Sequence, residues 1–97
     1  MIDLVVRPLA EDDLGEAFLW YEDQLPGLGH EFLRAVDVAF VAIQRGPERY
    51  PLVYRDLRRA LVRRFPYKVY FAQRATRLEV LAVIHGRRHP RKWRRRA

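Results

Sequence analysis

Cysteine is absent from all 97 residues of the sequence. This absence excludes a disulfide scaffold and thiolate chemistry at a metal or redox centre, and it is typical of a cytoplasmic protein. There are only three histidines and they are scattered, so we expect neither a metal site nor a cofactor. No apolar run approaches the roughly 20 residues of a membrane span. The N-terminus is too short and too acidic for a signal peptide, which again favours the cytoplasm.

Acidic residues are nearly missing from the second half of the chain. Residues 1–48 hold ten Asp/Glu and three Lys/Arg, a balance of −7. Residues 49–97 hold two Asp/Glu and sixteen Lys/Arg, a balance of +14, so the whole chain carries +7. This asymmetry predicts a basic working surface whose natural partners are phosphate backbones or an acidic protein. A membrane surface fits less well, because the basic residues do not lie on one amphipathic helix.

The first half of the sequence predicts one strand and two helices. Ile2 to Arg7 is a short strand-like run that ends before Pro8. Apolar residues then recur at helical spacing from Leu14 to Leu25, and again from Leu28 to Ile43. Pro26-Gly27 separates the two stripes, and a break this short predicts an antiparallel helical hairpin.

The second half changes to strand-like runs, which cover Leu57 to Arg63, Tyr67 to Gln73 and Leu78 to His85. Their links are short enough for antiparallel hairpins. We therefore predict an α+β fold, β-αα-βββ, with a helical hairpin packed on one face of a mostly antiparallel four-stranded sheet. Residues 1–97 are expected to form a single domain. Within it, residues 87–97 form a basic C-terminal tail with seven of the 19 Lys/Arg.

Strand alternation predicts a candidate site on the sheet face that the helices leave open. Val69 and Phe71 suit the buried face, so Lys68 and Tyr70 are expected to point outward. With His85 beside them, a cation, a phenol and an imidazole would converge. Further arginines would ring this face: Arg58, Arg63, Arg64, Arg87 and Arg88.

This set of residues has the chemistry to cut RNA. Attack by a 2′-OH needs a base that works near neutral pH, and His85 is the best-placed candidate. Arg64 and Lys68 would stabilise the pentacoordinate phosphate. The alternative is that His85 only closes the strand end and the arginines form a solvated basic face.

The two tryptophans have different expected roles. Trp93 lies in the basic tail, where it either stacks on a nucleic-acid base or docks back on the sheet. Pro90 and Trp93 together suggest a fixed turn, which favours docking. The rest of the tail is either a nucleic-acid contact or a frayed, solubilising terminus. Trp20 lies beside the apolar stripe of the first helix, which leaves it free to pack against a partner.

Short motifs follow one another along the chain in a recognisable order. In the first half they are Asp13-Leu14, Trp20-Tyr21-Glu22, Gly27-Leu28-Gly29, Phe32-Leu33, Pro47 and Tyr50-Pro51. In the second half they are Arg64-Phe65-Pro66-Tyr67, Val69-Tyr70, Val83-Ile84-His85-Gly86-Arg87-Arg88, Pro90 and Trp93. With these motifs the chain resembles, over nearly its whole length, the RelE/ParE superfamily of toxins, in the branch often called plasmid-stabilisation proteins.

The resemblance implies the same β-αα-βββ fold and a toxin of a type II toxin–antitoxin module. Such a toxin inhibits growth until a co-expressed antitoxin neutralises it. We expect this antitoxin to be acidic, since it would meet the basic half, and we expect Trp20 to contact it.

The resemblance leaves the mechanism open. RelE-like members are ribosome-dependent mRNA endonucleases, and Lys68 and His85 stand where some of them carry Arg and His. ParE-like members lack that set and inhibit DNA gyrase. Glu48 and Asp56 are the only nearby acids after the second helix, so the acidic catalytic partner of some nucleases is not evident. Branch similarity favours the gyrase type.

Three hypotheses therefore stand. The first is inhibition of DNA gyrase. The second is a metal-independent endoribonuclease acting on ribosome-bound mRNA through His85, Lys68 and Arg64. The third is a non-toxic, basic nucleic-acid-binding module. The residues expected to bind the target or a nucleic acid are Arg58, Arg63, Tyr70, Arg87, Arg88 and Trp93.

Overall fold

The computed structural model describes residues 1–97 and contains five strands and three α-helices. In chain order the elements are β1 (Asp3–Val6), α1 (Pro8–Gln24), α2 (Leu28–Arg45), a single 3₁₀ turn (Pro47–Arg49), β2 (Leu52–Tyr54), β3 (Leu57–Leu61), β4 (Tyr67–Arg74), β5 (Arg77–His85) and α3 (Pro90–Arg94). No helix combines the length and the apolar character that a bilayer crossing requires.

The strands form one sheet in the order β1-β5-β4-β3-β2. β1 runs parallel to β5, and all other neighbours are antiparallel. The predicted α+β class is confirmed, but the sheet has five strands rather than four. The missed strand, β2, has only three residues and pairs irregularly with β3, so it leaves no alternating pattern in the sequence.

The helical hairpin covers one face of the sheet because each helix has one apolar side. Pro8 begins α1, where its missing N–H costs nothing. α1 buries Ala10, Ala17 and Tyr21. The main core adds residues of α2 and the strands: Phe32, Val36, Ile43, Val69, Phe71, Val80 and Val83. The prediction that Val69 and Phe71 face the helices is confirmed.

The turn between the helices is organised by a carboxylate. Gly27 has a φ of 93°, the left-handed conformation that favours glycine. The Glu22 carboxylate accepts the backbone N–H of Gly27 at 3.1 Å and that of Gly29 at 2.8 Å. These bonds, that of Gly27 foremost, lower the pKa of the Glu22 carboxyl. The motif of Glu22 with the two glycines is therefore a cap on the start of α2.

Replacing each of two helical glycines by alanine should change the free energy of unfolding in opposite directions. A Cβ at Gly29 would lie 2.7 Å from the Phe18 carbonyl oxygen, because the helices approach closely there, whereas a Cβ at Gly15 would meet nothing within 4 Å. We expect Gly29→Ala to lower the free energy of unfolding by about 2 kcal/mol. Gly15→Ala should raise it by about 0.5–1 kcal/mol through helix propensity. Urea denaturation of both variants measures the difference, and a stabilised Gly29→Ala protein would contradict this packing.

The other face of the sheet carries a second, smaller core beneath α3. Trp93 of α3 is only 7% exposed. It packs in a cluster with strand residues: Leu57, Tyr70, Ala72, Leu81, Ala82 and Ile84. The prediction that Trp93 docks back on the sheet is confirmed, so the chain's own tail covers part of the face that was expected to be open.

Candidate functional site

Stacked side chains hold α3 on the sheet. The Trp93 ring lies nearly parallel to the Tyr70 ring, with centroids 4.3 Å apart, and meets Tyr54 edge-on at 6.2 Å. The Arg94 guanidinium lies 5.1 Å from the Tyr54 ring and 5.5 Å from the Trp93 ring. Trp93 and Tyr70 were expected to contact a target. They contact each other instead, and burial leaves neither as a free surface.

A buried ion pair ties the end of the chain to α1. Arg96 donates from both terminal nitrogens to the Asp13 carboxylate, and the two side chains are 13% and 7% exposed. Asp13 also accepts the Val83 N–H at 3.0 Å, and Arg96 donates to the Leu81 carbonyl at 3.1 Å. β1 pairs with β5 only as far as Val80. The ion pair therefore satisfies edge groups of β5 that no strand covers.

A bulge in β5 decides which face its later residues occupy. The pairing skips Leu81, because Tyr70 pairs with Ala82 and the next residue of β4 pairs with Val80. Leu81 and Ala82 therefore both face α3, while Val80 and Val83 face the helical hairpin. The predicted alternation, with Leu81 and Val83 together opposite Val80, is wrong here.

His85 lies on the helix-covered side of the sheet end. It pairs with Tyr67, and the two rings meet edge-on with centroids 5.6 Å apart. Lys68 pairs with Ile84 and faces the α3 side, although Lys68 and His85 both border a depression at the strand end. The predicted convergence of Lys68, Tyr70 and His85 on one face is therefore wrong, since successive residues of β4 point to opposite faces.

Four of the five predicted ring arginines also lie elsewhere. Arg88 lines a depression with Trp20, Tyr67 and His85. Arg64, in the turn before β4, forms an ion pair with Glu31 of α2 at 3.5 Å. Arg63 borders α2 as well. Arg58 pairs across the sheet with a residue of the helix-side core and donates to the Tyr50 carbonyl at 2.6 Å. None of them surrounds the face that carries α3. The turn before β4 places Arg63 and Arg64 beside α2, and the register of β3 points Arg58 towards the helices.

The imidazole of His85 is arranged as a hydrogen-bond donor. Its Nδ1 accepts the Arg87 backbone N–H at 3.0 Å, so the neutral ring carries its proton on Nε2. Burial raises the pKa of the neighbouring Tyr67 phenol, and the charge of Arg88 offsets part of that rise. The Tyr67 hydroxyl therefore stays protonated at neutral pH.

A groove between α1 and α3 brings an exposed indole next to cations. Trp20, Tyr67, His85, Arg88 and Lys92 line it, and we name it the Trp20 groove. Trp20 is 57% exposed. The groove thus offers an apolar surface beside two positive charges and an imidazole N–H, while the carboxylates of Asp13, which is paired with Arg96, and Glu16 line its α1 side. Its side at Arg88 and Lys92 suits an acidic segment with an apolar side chain.

Sequence reasoning missed the pair of Asp13 and Arg96. One signal was present: Asp13 falls on the helical stripe of Ala10 and Ala17, and a carboxylate on a buried stripe needs a partner. Nothing local identified Arg96 as that partner among seven tail cations. The sequence analysis also placed Arg58 on the open face, but the arginine that faces the α3 side is its neighbour Arg59.

The helical hairpin on one face of the sheet and the cationic tail on the other give the chain the architecture expected of the RelE/ParE fold. A solved structure, titled "Chromosomal ParDE TA system from P. aeruginosa", has the same architecture, with a TM-score of 0.78. The match covers 88% of this chain and 96% of that chain at 16% sequence identity.

The sequence comparisons identify the family. Residues 4–90 match the family described as ParE toxin of type II toxin-antitoxin system, parDE. Toxin ParE2 from Mycobacterium tuberculosis, in strains CDC 1551 / Oshkosh and ATCC 25618 / H37Rv, is 31% identical over 81 residues. The aligned residues cover 82% of this chain and 77% of each relative. The chain belongs to the ParE toxin family of type II toxin–antitoxin systems. The resemblance seen in the sequence is confirmed, and the protein's partner is an antitoxin.

Proposed function

We propose that this toxin stops growth by binding a protein target, DNA gyrase, and not by cleaving mRNA. Membership of the ParE family supports this choice over the RelE-like alternative. The single observation that carries it is the state of His85, whose Nδ1 is occupied by the Arg87 N–H. The ribonuclease hypothesis assigns that ring the role of base, and in the neutral ring the nitrogen that is free of the backbone contact bears the proton.

The positions of the other two nuclease candidates support the same proposal. Lys68 faces the α3 side of the sheet while His85 faces the helices, and Arg64 is paired with Glu31 of α2. Lys68 and His85 border one depression from opposite faces of the sheet, and Arg64 is not among the residues that line it. Inhibition by binding does not require these three side chains to meet at one phosphate, because it needs a complementary surface and no proton transfer.

A supercoiling assay tests the proposal. Purified toxin should block supercoiling of relaxed plasmid by gyrase and accumulate cleaved DNA. The His85→Asn variant separates the two hypotheses, because the Asn oxygen can replace Nδ1 as hydrogen-bond acceptor while no imidazole remains to act as a base. It should inhibit gyrase as wild type does. If induction of the toxin stops translation before replication, and the His85→Asn variant is harmless, the ribonuclease hypothesis replaces the proposal of gyrase inhibition.

We also propose that the antitoxin is acidic and anchors in the Trp20 groove. Trp20 is a large, mostly exposed indole with the exposed Leu19 beside it. Arg88 and Lys92 line the same groove, where they would meet carboxylates of the antitoxin. An aromatic anchor with charges around it is the usual composition of an interface hot spot.

Trp20→Ala should weaken antitoxin binding strongly. Loss of a hot-spot tryptophan costs about 2 kcal/mol or more, which is about 30-fold in Kd. Isothermal titration with the antitoxin encoded beside the toxin gene measures it. Val38→Ala is the matched control, because Val38 is as exposed as Trp20 but lies on α2 away from the groove. Equal affinities for wild type and Trp20→Ala would remove Trp20 from the interface.

A further inference from the structure

Unpaired cations gather on the sheet face that carries α3. We define the cationic face by six of them: Arg59, Lys68, Arg87, Arg91, Arg94 and Arg95. None of the six forms an ion pair. The two acidic residues of the C-terminal half, Asp56 and Glu79, are both paired with Arg74. The face therefore carries positive charge that no carboxylate of the chain neutralises.

Strand register and the docked helix bring these cations together. Arg59 pairs with Tyr70 across the sheet, and Lys68 precedes Tyr70 by two residues, so both share its face. Trp93 stacks on that same Tyr70, which places α3 over this face. The other four cations belong to α3 or flank it. Arg87 borders the same depression as Lys68.

We propose that the cationic face binds the phosphate backbone of duplex DNA without reading its sequence. This inference goes beyond inhibition of gyrase and does not depend on it. Five of the six side chains are arginines, whose planar guanidinium groups match phosphate oxygens. The protein measures 39 and 30 Å along its two longest axes, against about 34 Å for one turn of B-DNA.

The other groups on this face favour duplex DNA over an acidic peptide or a single strand. A tightly bound peptide needs apolar anchors, and Leu61 is the one large apolar side chain exposed here. A single strand needs exposed aromatic rings for its bases. Trp93 and Tyr70 are buried against each other, and Arg55 and Arg94 both lie against Tyr54. A phosphate backbone needs only the charges.

Binding of the full-length toxin to a fluorescein-labelled 30-base-pair duplex tests the proposal. Six phosphate contacts predict a slope of log K against log salt of about −5, so affinity should fall about a thousandfold between 50 and 200 mM NaCl. The triple variant R87Q/R91Q/R95Q changes only exposed arginines. Its slope should be less steep by about 2.7, which leaves roughly a 20- to 40-fold fall over the same range.

The matched control is R34Q/R45Q/R63Q, which removes the same charge from exposed positions beside α2. It should keep the wild-type slope, and a duplex of unrelated sequence should bind equally well. The proposal is overturned by absence of binding at 50 mM NaCl, by an equal loss of slope in the control, or by tighter binding of a single strand or a poly-glutamate peptide. Gyrase inhibition is measured separately, so either idea can fail alone.

Discussion

Replacing Asp13 by alanine is expected to lower the free energy of unfolding by about 3 kcal/mol or more. The change leaves the Arg96 guanidinium, only 13% exposed, without its carboxylate, and it leaves the Val83 N–H without an acceptor. Breaking one side of a buried ion pair is costly for this reason. The edge of β5 beyond β1 would also open to solvent, because Arg96 would no longer be held over the Leu81 carbonyl.

Neighbouring variants separate the ion pair from a general effect of α1. Asp12→Ala removes an adjacent, exposed carboxylate with no ion-pair partner and should change stability by less than about 0.5 kcal/mol. A double-mutant cycle of Asp13→Ala with Arg96→Ala should give a coupling energy above about 1 kcal/mol. Chemical denaturation of the four proteins provides the data. Additive effects of the two substitutions would mean that the pair does not act as a unit.

Trp93→Ala is expected to release α3 from the sheet. The change removes a ring that is 7% exposed and stacked on Tyr70, and truncating a buried tryptophan costs about 3–5 kcal/mol. Since α3 packs in the smaller cluster, on the sheet face opposite the main core, the loss should appear as local unfolding of residues 87–97 while the main core stays folded. Trypsin should then cut at Arg91 and Arg94 about a hundredfold faster, which is what 3 kcal/mol of local stability protects.

Two controls accompany this experiment. Trp93→Phe retains a ring that can stack on Tyr70 and should restore most of the protection. Trp20→Ala removes the other, mostly exposed tryptophan and should leave trypsin cleavage of the tail unchanged. Hydrogen exchange resolved by segment locates the opening. Unaltered cleavage in Trp93→Ala would show that the ion pair of Arg96 with Asp13 holds the tail on the sheet without the indole.

Most of the fold could be predicted from the sequence because its signals are local. Helical periodicity gave α1 and α2 to within a few residues, Pro26-Gly27 marked the turn between them, and apolar runs marked β3, β4 and β5. Pro90 and Trp93 indicated a docked tail. The strand β2 was missed, since three residues with irregular pairing carry too little pattern, and the five-residue helix α3 was expected only as a turn.

The candidate site was predicted less well because strand alternation carries across the sheet only while the pairing is regular. One extra residue at Leu81 reversed the expected faces of its neighbours, and the pairing with Tyr67 put His85 on the side away from Lys68. Arg58 was expected on the open face without an argument from register. It pairs with Phe71, which faces the helices, so its neighbour Arg59 takes the α3 side.

The amino-acid sequence by itself determined most of the secondary structure, the family and the division of charge between the two halves, all of which depend on near neighbours or on composition. Only the tertiary structure decided that Asp13 would meet Arg96, 83 residues away, and that the tail would bury its tryptophan and present its arginines. The physical reason is that partners so distant in sequence are brought together by closure of the whole chain, which no local pattern encodes.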